Sequence, residues 1–320
     1  MISVKRYTPA DQPVWDAFVD GSRQGTFLFR RAYMDYHADR FADHSLMFYD
    51  EKQRLIAQLP ANERDGVLYS HQGLTYGGLL TSATVTQVQV LAIFNALLDY
   101  GRCHNWSRIV YKSMPDIYHR CPSQEDEYAL WRLGASLESC LISSTIDLQE
   151  GALAIKPEYC RRNTFNRLRR EGYTVDWEAP LAEFWPILSD NLQQKYGLVP
   201  VHTLAEMELL QSRFSDEILC VVVRDAAGRA LGGVVMFDTA QVAHVQYSAA
   251  SAEGKRRGVL DLLYLSLIQN YAMQQEFRYF DIGNSNEEHG LVLNENLIHF
   301  KESLGARGVV YRTYCLRICG

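Results

Sequence analysis

Residues 242–305 constrain the fold of this chain more than any other stretch of its sequence. They contain, in order, VAHVQYSAA, the basic segment SAEGKRRG, the apolar segment VLDLLYLSLIQNYAMQQ, then RYFDIG, the polar loop NSNEEHG and LVLNENLIHFKESLG. β-Branched and aromatic runs are typical of strands, whereas apolar residues at spacings of three and four indicate helices. The stretch therefore predicts a strand, a basic turn, a buried helix, a second strand and a last helix closed by Gly305.

The basic turn Lys255-Arg256-Arg257-Gly258 suggests an anion site. The first N–H groups of a helix have no partner inside the helix, and the helix dipole favours negative charge there. A strand that enters a helix through such a turn could hold a phosphate-bearing ligand. The alternative is a solvated loop, which is what most short basic clusters are.

The order of predicted elements occurs twice along the chain. In residues 180–318 it is helix, helix, three strands, helix, strand, helix, strand, and the first half repeats this order without clear residue identity. In that half, we expect a helix over residues 31–39 and strand-like structure over residues 66–80. The interpretation is an α/β fold (an α+β mixed sheet) made of two domains, residues 1–150 and 151–320. We place the join near residues 149–155, and the strand after Gly305 could pair back toward the first half.

Composition excludes several classes of protein. The 320 residues carry a net charge of −6, which disfavours a general nucleic-acid coat. No apolar run reaches the roughly 18 residues of a membrane span, and the N-terminus lacks a secretory signal. The seven cysteines form no C-x-x-C pair, which argues against a metal site and fits reduced thiols in a cytoplasmic protein. The oligomeric state stays open, a homo-oligomer included.

Three local patterns, together with the element order, resemble the GNAT acyltransferase superfamily, and in particular its two-domain, Fem-like members. The segment from Asp281 and Gly283 to Lys301 and Gly305 is similar to the ending of that group. The arginine-rich helix over residues 161–172 resembles the helix that opens the second Fem-like domain, and the segment GLTYGGLL resembles a Tyr-Gly-Gly segment of the first. The arginine-rich helix could clamp phosphates, or it could simply be a solvated helix.

The resemblance implies transfer of an acyl group, with acetyl-CoA or another acyl-CoA as co-substrate and no metal. It places the acceptor side in the first domain and the donor side in the second. The pyrophosphate of CoA would lie on Lys255, Arg256, Arg257, Gly258 and Val259, although Leu260 replaces the small residue usual at the end of that loop. Asn284 and Asn286 would bond the pantetheine arm, with ordinary loop composition as the alternative.

The catalytic candidates are Asp281, Tyr247 and His299. A carboxylate or imidazole near the acyl carbonyl could act as base, and Asp281 ends a strand at the predicted cleft. The alternative for Asp281 is a turn-forming role before Gly283. The resemblance implies a tyrosine after this strand that protonates the leaving thiolate, but residues 284–304 contain none. Either Tyr247 or Tyr264 serves instead, or the release of the thiolate needs no acid from the protein. His244 alternates with Val245 on a strand, so we interpret it as a histidine of the core or of the sheet face and not as a base.

The acceptor candidates are His71, Tyr76 and Lys301. A ring followed by two glycines, Gly77 and Gly78, could line a groove for a sugar or peptide. The alternative is a bulged strand in which glycine provides curvature.

The preferred hypothesis is an acyltransferase that moves an acyl group from acyl-CoA to an amine or hydroxyl of a small polar acceptor. An amino sugar, a nucleotide-sugar or a cell-envelope precursor would be suitable. A second hypothesis is a Fem-like transferase that takes an aminoacyl group from tRNA. A third is a non-catalytic ligand-binding module on the same scaffold.

Overall fold

The protein is described by a computed structural model, which covers residues 1–149 and 155–318. The chain forms two compact units. Unit 1 comprises Met1–Leu141, Glu288–Leu291 and Val310–Gly320, and unit 2 comprises Ile142–Glu287 and Val292–Val309. The join predicted near residues 149–155 falls almost entirely outside the described residues, and the division at residue 150 stays a prediction.

Unit 1 contains two groups of short strands, with helices between them in the sequence. Its helices are α1 (Gln12–Gly21), α2 (Arg31–Met34), α3 (Gln87–Cys103) and α4 (Glu125–Arg132). Its strands are β1 (Ser3–Arg6), β2 (Leu46–Tyr49), β3 (Leu55–Leu59), β4 (Asn62–Arg64), β5 (Val67–Tyr69), β6 (Leu80–Thr81), β7 (Arg108–Lys112) and the first part of β8 (Ser136–Asp147). The strand order is β1-β2-β3-β6 in one group, and β4 pairs with β5, which runs parallel to β7.

Two predictions for unit 1 are wrong in detail. The helix expected over residues 31–39 ends at Met34 and continues as a 3-10 turn over Asp35–His37. The strand-like segment over residues 66–80 forms strands only at its two ends, because the chain between them folds back on itself. At Gly77, a Cβ atom would lie 1.7 Å from the carbonyl oxygen of Ser70, so only glycine permits this close approach.

Unit 2 is a mixed sheet with helices on its faces. Its helices are α5 (Tyr159–Arg170), α6 (Leu181–Tyr196), α7 (Leu204–Arg213), α8 (Ala252–Arg257), α9 (Val259–Met273) and α10 (Glu295–Ser303). Its strands are β9 (Thr174–Asp176), β10 (Ile218–Arg224), β11 (Ala230–Asp238), β12 (Val242–Ala250), β13 (Tyr279–Asn284), β14 (Asn286–Glu287), β15 (Val292–Leu293) and the start of β16 (Arg307–Arg317). This agrees with the predicted α/β fold and with the predicted order of elements in the second half.

The sheet of unit 2 has the order β8-β13-β12-β11-β10-β9, in which β12 and β13 are parallel and the other pairs antiparallel. One face packs on α9 through an apolar cluster that includes Val234, Ala243, Leu263 and Phe280. Alternate residues of each strand therefore point away from α9. The candidate functional site lies on that second face.

Candidate functional site

The strands β12 and β13 run together for only three residues and then part. The register pairs Val242 with Tyr279, Ala243 with Phe280, and His244 with Asp281. Within the described residues the ladder ends there: β12 continues beside β11, whereas the end of β13 pairs with β8. Backbone groups on the facing edges of diverging strands are open to a ligand. The end of this ladder is the candidate functional site.

Asp281 is the centre of a buried polar network at that point. Its side chain is fully buried. One carboxylate oxygen, Oδ1, accepts hydrogen bonds from the hydroxyls of Ser143 and Thr145 and from the N–H of Gly283, the last at 3.3 Å. The other oxygen, Oδ2, lies 2.9 Å from Nδ1 of His244. The carboxylate is thus held by four groups from three strands, more than the local turn considered from the sequence.

Lys301 fixes the end of β13 from α10. Its Nζ donates to the carbonyl oxygens of Gly283 and Asn284, both at 2.7 Å. Burial lowers the pKa of Lys301 to about 8, and the nearby Asp281 acts in the opposite direction. The residue is 4% exposed, so its predicted contact with an acceptor would require this end of β13 to move.

Tyr247 lies three residues after His244, beyond a bulge in β12 at Gln246. Its hydroxyl is 2.6 Å from Nδ1 of His202, whose backbone N–H also donates to it at 3.3 Å. Because that N–H occupies the oxygen as a donor, the tyrosine proton is directed at the imidazole. Burial raises the pKa of Tyr247. The catalytic role of Tyr247 stays a prediction.

The basic turn predicted at residues 255–258 is wrong: these residues end one helix and begin another. Ser251 caps α8 by accepting from the N–H of Gly254, and Gly258 turns the chain into α9 with a φ of 77°. The N–H of Lys255 donates to Ser251, and that of Gly258 donates to Gly254 and Lys255. The amides of Lys255 and Gly258 are thus used inside the helix, and the binding of a phosphate at residues 255–259 stays a prediction.

The side chains at this corner divide into two sets. Lys255 and Arg256 are exposed. Arg257 instead forms an ion pair with Glu171 and donates to the hydroxyl of Tyr173 at 3.1 Å. The first two can meet an anion from solvent, whereas the third holds α8 against the end of α5.

The N-terminus of α9, which includes Val259, already carries a buried carboxylate. Asp261 lies in the first turn, 6% exposed, and its Oδ1 accepts from Arg161 at 3.1 Å. Burial raises the pKa of Asp261, and Arg161 opposes that change. Negative charge in the first turn of a helix is favoured by the helix dipole, and a role of Val259 in holding a phosphate stays a prediction. The arginine-rich helix α5 thus binds a group of its own unit through Arg161.

The remaining predicted residues of unit 2 lie in different surroundings. Asn286 accepts from the N–H of Ile142 at 2.6 Å and so ties the loop to β8. Asn284 is exposed at the end of β13. His299 is exposed on α10, one face away from Lys301, as the helical spacing predicted. Asn284 therefore borders the end of the ladder, whereas His299 faces solvent.

His71 and Tyr76 lie in the core of unit 1, 3% and 2% exposed. The Tyr76 hydroxyl donates to Thr26 at 3.2 Å, and its ring packs on Phe29 and Tyr118. Burial lowers the pKa of His71 to about 3. The alternative that the sequence left open, a bulged strand in which glycine provides curvature, is wrong, because residues 70–79 fold back without forming a strand. A role in binding an acceptor stays a prediction.

Sequence reasoning missed four residues of the two polar networks: Ser143, Thr145, His202 and His244. The serine and threonine alternate along β8 in SCLISSTIDL, and alternating polar residues in a buried strand are a usable signal. His244 lies on the sheet face, where the sequence places it. Its partner Asp281 is 37 residues away, so only the strand register brings the two together.

Two further findings bear on the class of site. Among the described residues, no group of three or more histidine, cysteine, aspartate or glutamate side chains is arranged to hold a metal ion. In the same part of the chain, no helix is long and apolar enough to cross a membrane.

Comparison with protein families identifies the class. Residues 160–290 match the family described as Acetyltransferase (GNAT) domain, so unit 2 contains a GNAT acyltransferase-type domain and the resemblance seen in the sequence is confirmed. No curated protein matches this sequence.

Solved structures extend the likeness to the whole chain. FemX is similar with a TM-score of 0.69 at 11% identity, over 98% of this chain and 97% of that one. The structure of L-PGS from Bacillus licheniformis has a TM-score of 0.63 at 15% identity, over 99% and 94%. A tandem GNAT protein from the clavulanic acid biosynthesis pathway has a TM-score of 0.56 at 12% identity, over 100% of this chain and 99% of that one. At these identities the likeness concerns the fold, which is a Fem-like, tandem GNAT fold.

Proposed function

We propose that this protein is an acyltransferase that moves an acyl group from acyl-CoA to an amine or hydroxyl of a small polar acceptor. The observation that carries the proposal is the short parallel ladder of β12 and β13, which ends at a polar network in a GNAT-type domain. The diverging edges offer backbone hydrogen bonds to an extended pantetheine arm, and the network beside them offers groups for proton transfer.

The phosphates of CoA would bind differently from the expectation based on the family. Because the amides of α8 are used within the helix, we assign the phosphates to the exposed side chains of Lys255 and Arg256. Hydrogen bonds to charged groups are worth about 1.5–3 kcal/mol each, so two such contacts can replace a backbone cradle. Arg257 is not part of this assignment, since Glu171 and Tyr173 hold it.

Acceptors with an amino or hydroxyl group, such as amino sugars and nucleotide-sugars, suit the polar end of the ladder. Asp281, within its network, and Tyr247 are the residues that we place nearest the chemistry. The tyrosine would return a proton to the leaving thiolate through its contact with His202.

Thermal unfolding with acetyl-CoA, free CoA, aminoacylated tRNA and nucleotide-sugars tests the proposal. A ligand at 100 times its Kd adds about 2.7 kcal/mol, which appears as a raised midpoint. We expect a shift with both CoA species and thiol release when an amino-sugar acceptor is added. A shift with aminoacylated tRNA and none with any acyl-CoA would overturn the choice of donor.

The double variant Lys255→Ala/Arg256→Ala tests the phosphate assignment. We expect its affinity for acetyl-CoA to fall about tenfold or more, because two charge-assisted contacts are lost. Lys52→Ala, which removes an exposed lysine of unit 1, is the matched control and should bind normally. Equal affinity in the double variant would remove this corner from the donor site.

A further inference from the structure

His244 occupies a position that distinguishes it from the other polar side chains of the network. It belongs to the last pair of the parallel ladder, so its imidazole lies where β12 and β13 begin to part. Its neighbours Ala243 and Val245 point into the apolar cluster around α9. By strand alternation, His244 and its partner Asp281 point to the opposite face of the sheet.

The surroundings of Asp281 determine which imidazole nitrogen carries the proton. Oδ1 already accepts from two hydroxyls and one backbone N–H, and Oδ2 faces Nδ1 of His244 at 2.9 Å. A carboxylate surrounded by donors acts as the acceptor in this contact, so Nδ1 carries the hydrogen. In the neutral ring the lone pair then lies on Nε2.

Gly283 lies beside the imidazole of His244. Its φ of 82° is in the left-handed region, and it has no side chain. A Cβ atom there would lie 3.6 Å from the carbonyl oxygen of Val245 and 4.0 Å from Cε1 of His244. Any other residue at position 283 would therefore have a strained backbone and would place its Cβ in contact with the ring.

We propose that His244, and not Asp281, is the base that takes the proton from the acceptor, and that Asp281 is its positioning residue. The inference rests on the proposed acyl transfer and adds a residue that is not among the candidates drawn from the sequence. Asp281 cannot easily serve as the base itself, because it is fully buried and both of its oxygens are engaged. His244 is 8% exposed and belongs to the last pair of the ladder.

The proposed step is balanced without another reactant. The acceptor nitrogen or oxygen attacks the acyl carbonyl carbon and forms the new bond, while its proton moves to Nε2 of His244. The bond between that carbon and the sulfur of CoA breaks, and its electron pair stays on sulfur. The thiolate takes the proton of the Tyr247 hydroxyl, and the imidazolium of His244 returns its proton to the tyrosinate through solvent. His244 and Tyr247 are then neutral again, and CoA leaves as a thiol. The nearby Lys301 donates to the carbonyl oxygens of Gly283 and Asn284 and takes no part in the proton transfer.

The variant His244→Asn tests the role of the imidazole, because its amide can still donate to Asp281 but has no basic nitrogen. We expect kcat to fall by about 10²–10⁴, the usual contribution of a positioned base, with the acetyl-CoA midpoint shift unchanged.

In His244→Gly, added imidazole should restore part of the turnover. Asp281→Asn should lower kcat with little change in KM. His104→Asn, at an exposed histidine of unit 1, is the matched control and should turn over normally.

A second measurement does not depend on turnover. Diethyl pyrocarbonate acylates an unprotonated, reachable imidazole, and peptide mass analysis of the full chain locates the adduct. We expect modification at His244, slowed in Asp281→Asn, with the exposed His299 as the internal standard. A wild-type chain that turns over while His244 stays unmodified, or a His244→Asn variant with the wild-type rate, overturns the assignment and leaves the proposed function standing. A wild-type chain that transfers no acyl group from any donor overturns the proposed function, and the catalytic role of His244 with it.

Discussion

The two units contain a similar arrangement, a short parallel strand ladder with a lysine nearby, which we call the frame. The two frames differ in what lies beyond the end of the ladder. In unit 1, β5 and β7 form a parallel ladder of three pairs, as β12 and β13 do in unit 2. Each unit also has a lysine of low exposure that donates to two backbone carbonyls of a neighbouring segment. Lys112 binds the carbonyls of Gln72 and Leu74, and burial lowers its pKa to about 8, the value that burial also gives Lys301.

The frames differ beyond the end of the ladder. In unit 1 the chain after β5 stays on β7: the N–H of Ser70 donates to Val110 at 2.9 Å, and its hydroxyl accepts from the N–H of Lys112 at 2.7 Å. The segment with Gly77 then packs against Ser70 and fills the space. In unit 2 the corresponding space borders His244 and Asp281. One unit has thus closed its frame with its own backbone, and the other has lined it with polar side chains.

The substitution Gly77→Ala should break the closed frame of unit 1 and have the largest effect. Its Cβ would lie 1.7 Å from the Ser70 carbonyl oxygen, and backbone cannot give way as a side chain can. We expect a loss of at least about 3 kcal/mol in the free energy of unfolding, measured by urea denaturation. Gly21→Ala is the control, since nothing lies within 4 Å of its Cβ position and alanine favours the helix. Equal stability of the two variants would show that the segment is not tightly packed.

The two units should also differ in how pH affects them. Burial raises the pKa of Asp126 in unit 1 to about 6, and that of Asp238 in unit 2 to about 7, each beside a tyrosine hydroxyl. A carboxyl whose folded pKa exceeds its unfolded value holds its proton more tightly when folded. Its contribution is full below about pH 4 and is lost as pH rises through the folded value.

We therefore expect unit 2 to lose stability up to about pH 7, by about 1–4 kcal/mol, and unit 1 only up to about pH 6. Denaturation at pH 5 and pH 8 measures this difference. Between pH 6 and 7, the free energy of unfolding should depend less on pH in Asp238→Asn than in the wild type. In Asp126→Asn its dependence on pH over the same interval should be unchanged. An unchanged slope in Asp238→Asn would contradict the assignment.

The paired variants Lys112→Met and Lys301→Met distinguish a lysine whose hydrogen bonds only stabilise the fold from a lysine whose hydrogen bonds also support the site. Each leaves two backbone carbonyls without a donor, so we expect each to lower the free energy of unfolding by about 1–3 kcal/mol. Only Lys301→Met should also lower acyl transfer, because its carbonyls belong to Gly283 and Asn284 at the edge of the gap. Urea denaturation and thiol release measure the two effects. A loss of turnover in both variants, at equal stability, would mean that unit 1 also takes part in the chemistry.

The smallest expected effects come from two tyrosines. Tyr76→Phe removes a buried hydroxyl bonded to Thr26, at a cost of about 0.5–1.5 kcal/mol and with no change in turnover. Tyr247→Phe should cost a similar amount but lower kcat, because the hydroxyl at His202 is lost. Reduced acceptor affinity in Tyr76→Phe would instead support the acceptor site predicted from the sequence. Calorimetry and steady-state kinetics on the same preparations decide between these results.

The order of elements could be predicted because its signals are local. Short windows of sequence are enough to recognise the apolar spacing of α6, which ends at Gly197, and the hairpin of β10 and β11. The short helix α8 was missed because Gly254 and three basic residues resemble a turn. Ser251, which caps it, was the available sign of a helix start.

The site could be predicted only in part, because its contacts are not local. Asp281 and Lys301 were recognised individually from their motif. Their actual partners, Ser143 and His244 for the carboxylate and two carbonyls for the lysine, come from strand register and from the packing of α10. No pattern in the sequence encodes these distances, and the same residues looked like a turn-former and an acceptor ligand.

The pairing of β16 with β7 has a consequence for how this protein is made. Thr313 to Arg317 lie beside Lys112 to Arg108, and residues from Val310 onward belong to unit 1. On the ribosome, unit 1 therefore emerges first but cannot complete its sheet until about two hundred further residues have been translated. Until then β7 has an unpaired edge, which is a template for wrong association between nascent chains.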